Sequence, residues 1–85
     1  MPKVSSITRV LEIIEAVSYA SLPLSPLELS QELDIPKPTI HRLIQNLVDE
    51  GFLTVDIGGG IIPGKRVRNL SVELWQQRLF FNERQ

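Results

Sequence analysis

The sequence predicts a mainly helical domain with one small β-hairpin, on three observations. Apolar residues recur at three- and four-residue steps in several separate runs. Serine–proline and glycine punctuation marks where those runs start and stop. A short β-branched run, a triple glycine and a second short apolar run come after the third of them. At 85 residues the chain is expected to be one small domain or a fragment of something larger. Its composition, 42% hydrophobic and 22% charged, is that of a folded globular protein.

Taking the elements in order, Ser5 or Ser6 caps a first helix that runs to about Ser18. Ile7, Val10, Leu11, Ile14 and Val17 form its apolar stripe, and Ile13 widens it. Leu22-Pro23-Leu24 interrupts the pattern. Ser25-Pro26-Leu27-Glu28 is a strong helix start, because the serine caps, the proline suits the first turn, and the glutamate can close a capping box. This second helix ends near Leu33-Asp34. Ile35-Pro36-Lys37-Pro38 breaks the chain again, since proline is tolerated in a helix only in its first turn.

From Pro38 to Glu50 the pattern is sharply helical. Ile40, Leu43, Ile44, Leu47 and Val48 line one side, and Gly51 stands where a left-handed helix-ending residue is wanted. The opposite side holds Thr39, Arg42, Gln45 and Asn46, with His41 on the flank. Phe52 to Ile57 reads as a strand, Gly58-Gly59-Gly60 as its turn, and Ile61-Ile62 as a return strand stopped by Pro63-Gly64. Lys65-Arg66-Val67-Arg68 leads into a last helix from about Asn69. There Val67, Leu70, Leu74 and Phe81 fall on one side and Val72, Trp75 and Leu79 nearly opposite. Two stripes predict that one side meets the chain's own core and the other a partner such as a second copy. The chain reaches Asn82-Glu83-Arg84-Gln85 without a stop signal, so the helix is expected to continue in a longer parent.

Two short helices joined by a tight turn and followed by a hairpin make a winged helix-turn-helix, spanning residues 1–68, with residues 69–85 the start of the last, two-sided helix. That layout has a chemical reason. A helix fits the major groove of B-form DNA, so it needs an apolar side for anchorage and a polar side to read base edges. The helix at 38–50 meets that demand. Arg42 can pair in bidentate fashion with guanine, Gln45 and Asn46 with adenine, and Thr39 with a phosphate or a thymine methyl. His41 suits a phosphate better than a base edge. Lys37 adds charge at the helix N-terminus, and Lys65, Arg66 and Arg68 are placed to hold the flanking backbone.

The charge balance qualifies this reading. The chain carries a net −1, whereas nucleic-acid domains are often strongly basic. Its distribution is uneven. As far as Asp34, Lys3 and Arg9 stand against Glu12, Glu15, Glu28, Glu32 and Asp34 itself. Between Ile35 and Val72, Lys37, Arg42, Lys65, Arg66 and Arg68 outnumber Asp49, Glu50 and Asp56. The acidic total leaves an alternative of another class, a winged-helix module that binds protein and not DNA. Such a module is expected to expose apolar or acidic residues on its third helix. An enzyme is not expected: His41 is the one candidate imidazole, and there is neither a nucleophile elbow nor metal-ligand spacing. With no cysteine and a single histidine, no metal and no cofactor is expected. No apolar run approaches the roughly 20 residues of a membrane span, and a cytoplasmic location is expected.

Leu29 through Leu53, centred on Ile35-Pro36-Lys37-Pro38-Thr39-Ile40-His41-Arg42-Leu43, resembles the DNA-binding domain of IclR-type bacterial transcriptional regulators. Asp56-Ile57-Gly58-Gly59 and Pro63-Gly64-Lys65-Arg66 fit the same family's wing and post-wing pattern, and the resemblance covers about residues 5–70. It implies a repressor or activator that binds a palindromic operator as a dimer, with a larger C-terminal domain, not in this sequence, that senses a small-molecule effector. It also implies that the helix after the wing links the two domains and helps dimerisation. The chain departs from the family pattern in three places. Asp34 stands where glycine is common, Pro38 where a serine or threonine is usual, and Gly60 where the wing is often basic.

Overall fold

The computed structural model describes the backbone of residues 5–84 and the side chains of residues 5–77. Helix α1 (Ser6–Tyr19) opens on Ser5, whose hydroxyl accepts the Thr8 amide at 3.1 Å. Helix α2 (Pro26–Leu33) opens on the expected capping box. Ser25 Oγ accepts the Glu28 amide at 3.0 Å, and Glu28 Oε1 accepts the Ser25 amide at 2.8 Å. Helix α3 (Lys37–Asp49) follows after one tight turn.

Both turns around α3 are closed by left-handed residues. Asp34 sits at φ 55°, ψ 48°. That lets the Ile35 amide reach back to the Ser30 carbonyl at 3.0 Å while Ser30 Oγ donates to the Ile35 carbonyl. At the far end Gly51 sits at φ 84°, the Phe52 amide donates to Leu47 and the Gly51 amide to Val48. These are the two bonds of a Schellman closure. Asp34 is the one non-glycine residue with positive φ among those described. A Cβ in that region costs energy, though less for Asp than for most residues. Asp34→Gly is therefore expected to stabilise the domain by about 0.5–1 kcal/mol. A urea midpoint that fell would contradict it.

Strands β1 (Leu53–Val55) and β2 (Ile61–Pro63) pair antiparallel, with Leu53 opposite Pro63 and Val55 opposite Ile61. β2 takes in Pro63, which was expected to stop it, whereas β1 is shorter than the sequence run suggests, for local reasons. The Phe52 amide is already spent on closing α3, and Asp56 begins the tip, where the Gly59 amide donates to the Asp56 carbonyl. A third short partner was not foreseen: Leu24 exchanges both backbone bonds with Ile61, at 2.7 and 3.2 Å. This ties the α1–α2 loop to the wing.

The core gathers Ile13 and Val17 from α1, Leu29 from α2, Ile35 from the turn, Ile40, Leu43, Ile44 and Leu47 from α3, and Leu53 and Ile61 from the wing. No polar side chain among the described residues is buried with them. α3 thus lies between α2 and β1, with one side committed to the core.

Helix α4 (Lys65–Arg84) starts four residues earlier than the sequence pattern predicts. The Gly64 carbonyl accepts the Arg68 amide, so the helical ladder begins directly after the wing and takes in Lys65-Arg66-Val67-Arg68. The expectation that one stripe of this helix meets the chain's own core is also corrected. α4 touches the body mainly through β1. Past the half-buried Val67, Leu70, Val72, Leu74 and Trp75 are all 54–59% exposed. Leu70 and Leu74 line an open groove with Ile14, Ser18 and Tyr19 of α1 yet stay exposed, so neither stripe is packed into the core. Phe81 and Leu79, assigned to the two stripes, lie outside the residues whose side chains are described.

Candidate nucleic-acid interface

The candidate interface is the outer side of α3. Its apolar positions follow the helical period closely enough that Ile40, Leu43, Ile44 and Leu47 are each no more than 6% exposed. Around the helix, the direction opposite that stripe is occupied by Pro38, Arg42, Gln45 and Asp49. His41 falls on one flank, Thr39 and Asn46 on the other. All of these are exposed except Thr39, which is half-buried. The structure therefore brings Arg42, Gln45 and Asn46 together on one open surface. It leaves Thr39 less accessible than the sequence pattern implies.

The N-terminus of α3 has no side-chain cap, because Pro36 occupies the capping position. The first amides of the helix therefore have no side-chain acceptor, and they lie beside the exposed Lys37, in the arrangement that attracts an anion. Only Pro38, which has no N–H, interrupts it.

One contact on this face was missed. Gln45 Nε2 donates to Asp49 Oδ1 at 2.9 Å, which holds the amide along the helix. The i, i+4 spacing of the two residues was the available signal. Asp49 also puts a carboxylate at the C-terminal end of the face, beside the Gln45 amide that it holds.

The basic group after the wing divides in two. Lys65 and Arg68 are exposed, and neither forms an ion pair among the described residues. Arg66 is engaged inside the domain: its Nη1 donates to the Glu50 carbonyl at 3.2 Å and its guanidinium lies 4.2 Å over the Phe52 ring. All three cations sit in the first turn of α4. That is the positive end of the helix dipole, where a cation is unfavourable by about 0.3–1 kcal/mol. Arg66 is compensated by its contacts. Lys65 and Arg68 have no such compensation among the described residues.

The wing tip carries no cation. Ile57 stands fully exposed there, followed by Gly58-Gly59-Gly60. Gly60 is required by packing, because a Cβ on it would come within 2.5 Å of the Pro23 side chain. A basic residue at that position would have to displace the α1–α2 loop.

Among the described residues no helix is long and apolar enough to cross a membrane, and no group of acidic or histidine side chains could hold a metal ion.

The family described as the IclR helix-turn-helix domain matches residues 6–56. No curated protein matches the chain. Among solved structures, an IclR homolog from Microbacterium sp. strain HM58-2 superposes with a TM-score of 0.73 at 23% identity, covering 82% of this chain and 29% of that one. An IclR family transcriptional regulator from Brucella abortus gives 0.72 at 26% identity, with 85% and 28% covered. The Agobacterium tumefaciens repressor BlcR gives 0.69 at 21%, with 79% and 27% covered. The chain therefore spans under a third of the length of these three proteins.

Proposed function

We propose that this chain, which belongs to the IclR helix-turn-helix domain family, is the DNA-binding part of a bacterial transcription regulator and reads duplex DNA by seating α3 in the major groove. The observation that carries the reading is the division of α3: four apolar residues buried on one side, and Arg42, Gln45 and Asn46 uncovered on the other. A protein-docking module has no need of that polar face. Arg42 supplies the bidentate fork for a guanine, and Asn46 with the held amide of Gln45 the donor and acceptor pairs for adenine. Lys37 with the open α3 N-terminus, His41, Lys65 and Arg68 take phosphates on either side. Thr39, half-buried, contributes at most a backbone contact.

Two copies paired through the exposed Val72 and Trp75 of α4 would present two α3 helices to successive major grooves, about 34–36 Å apart along a palindromic operator. Phosphate contacts then dominate affinity, which falls steeply with salt. Such a regulator works in the bacterial cytoplasm.

Selection from random duplex DNA at low salt tests the reading. An enriched inverted repeat is the expected result. No enrichment, and no salt-sensitive retention of duplex, would sink it and leave the protein-binding module standing. The phosphate assignment is checked separately: Lys65→Gln is expected to reduce the slope of log affinity against log salt by about 0.9 for each copy bound, with the preferred sequence unchanged. A slope equal to wild type would remove Lys65 from the interface.

A further inference from the structure

Arg66 is the best-connected side chain on the polar surface. Its aliphatic stem packs on Gly51, where a Cβ would meet Arg66 Cγ and Cδ at 3.4 Å. Its guanidinium lies over the Phe52 ring, its Nη1 donates to the Glu50 carbonyl, and the Glu50 carboxylate is 3.9 Å away. Its backbone amide donates to the Gly51 carbonyl at 3.1 Å, two residues after the Gly64 amide donates to Phe52 at 2.8 Å. All of these partners belong to the turn that ends α3. The guanidinium also places a cation on a carbonyl at the negative end of that helix, where charge complements the dipole. Beyond this attachment the described side chains of α4 are exposed, apart from Val67. One side chain thus spans the C-terminus of α3 and the N-terminus of α4.

We propose that Arg66 is a positioning residue: it fixes the angle at which α4 leaves the domain relative to α3, and so sets the distance between the two α3 helices when two copies pair through α4. The second half rests on the DNA-reading function proposed above; the first does not. A planar fork is needed because one group must meet a carbonyl edge-on and an aromatic ring face-on. An ammonium supplies the charge without that geometry.

The joint is read first without DNA. Spin labels at Gln31 on α2 and Gln76 on α4, both exposed, report the inter-helix distance by pulsed electron resonance, with the labelled chain diluted in unlabelled chain. Wild type is expected to give one narrow distribution. Arg66→Met is expected to broaden it, and Arg66→Lys, which keeps the stem and the charge, to broaden it less but not to restore it. Lys65→Gln is expected to leave it unchanged. Distributions as narrow as wild type in both Arg66 variants would overturn the proposal. If the methionine variant does not fold, a wild-type distribution in the lysine variant alone overturns it.

DNA selection then reads the consequence. Arg66→Met is expected to return the wild-type half-site with relaxed spacing between the halves. A phosphate-contacting Arg66 would instead keep the spacing and lower the salt slope, which would overturn the second half of the proposal. If wild type selects no duplex, the DNA reading fails while the label distances still decide whether Arg66 is the joint.

Discussion

Gly64→Ala is expected to lower the stability of the domain by about 2–3 kcal/mol, the upper part of the range for overpacking a close contact. The cause is a backbone crossing. The chain passes from β2 into α4 directly over the turn that closes α3. A Cβ on Gly64 would come within 2.7 Å of the Phe52 carbonyl carbon, 2.8 Å of the Leu53 nitrogen, and closer still to the Gly51 carbonyl oxygen. None of these is a flexible side-chain end that could swing aside. The same crossing carries the hydrogen bond from Gly64 to Phe52, so relieving the clash by separation would also stretch that bond. The backbone of Gly64 is not left-handed, so the loss is steric and not conformational. A domain of this size holds only about 5–10 kcal/mol in total. At roughly 4–8 °C per kcal/mol, the melting temperature followed by far-UV circular dichroism should fall by about 10–20 °C. Gly58→Ala is the internal control. Nothing lies within 4 Å of a Cβ there and its φ is not left-handed, so it should melt close to wild type. Equal behaviour of the two variants would show that the crossing is not tight.

What the sequence made legible, and what it hid, divides along the distance over which a contact acts. The Ser25–Glu28 capping box, the α3 stripe and the left-handed Gly51 all depend on residues within a turn of one another, and each stands as expected. The open polar side of α3 was legible for the same reason, as the complement of that stripe. Contacts between distant segments left no periodic trace. The Leu24–Ile61 bridge, the Gly64 crossing and the Arg66 clamp on Glu50 and Phe52 each join segments far apart in the chain. Lys65-Arg66-Val67-Arg68 could be read as a charged lead-in to a helix because cations are poor at a helix start. The wing nevertheless delivers the chain into helical geometry at Gly64, and tertiary context prevails. The two-sided apolar pattern of α4 was legible as a pattern. Which side is covered was not, since that depends on whether the rest of the domain has apolar surface left to offer.

The acidic total of the chain also looks different once the charges are placed. Glu28 is held in its capping box, Glu50 lies beside Arg66, and Asp49 is bonded to Gln45. Lys37, Arg42, Lys65 and Arg68 are exposed and outside the one ion pair found among the described residues. Net charge bears on encounter and solubility, but a phosphate meets local groups, and those on the α3 and early α4 surface are mostly cationic.

Arg42→Ala is expected to abolish sequence discrimination while leaving the fold intact. Arg42 is exposed near the centre of the open face of α3, and its neighbours toward the core, Leu43 and Ile44, keep their burial without it. Alanine is the best helix former, so the stability change should stay within about 0.5 kcal/mol. A bidentate arginine–guanine pair discriminates against the wrong base by about 1–3 kcal/mol. Two copies on one operator would lose about 2–6 kcal/mol, or roughly 30-fold to 10⁴-fold in specific affinity. Affinity for unrelated duplex should change far less, because only one cation per copy is removed. The ratio of the two affinities at one fixed salt concentration is therefore the informative measurement. Arg42→Lys sharpens it: lysine keeps the charge but not the fork, so it should restore non-specific binding and little of the ratio. If lysine restored the ratio, Arg42 would be a phosphate contact. If alanine left the ratio intact, α3 would not be the element that reads the bases.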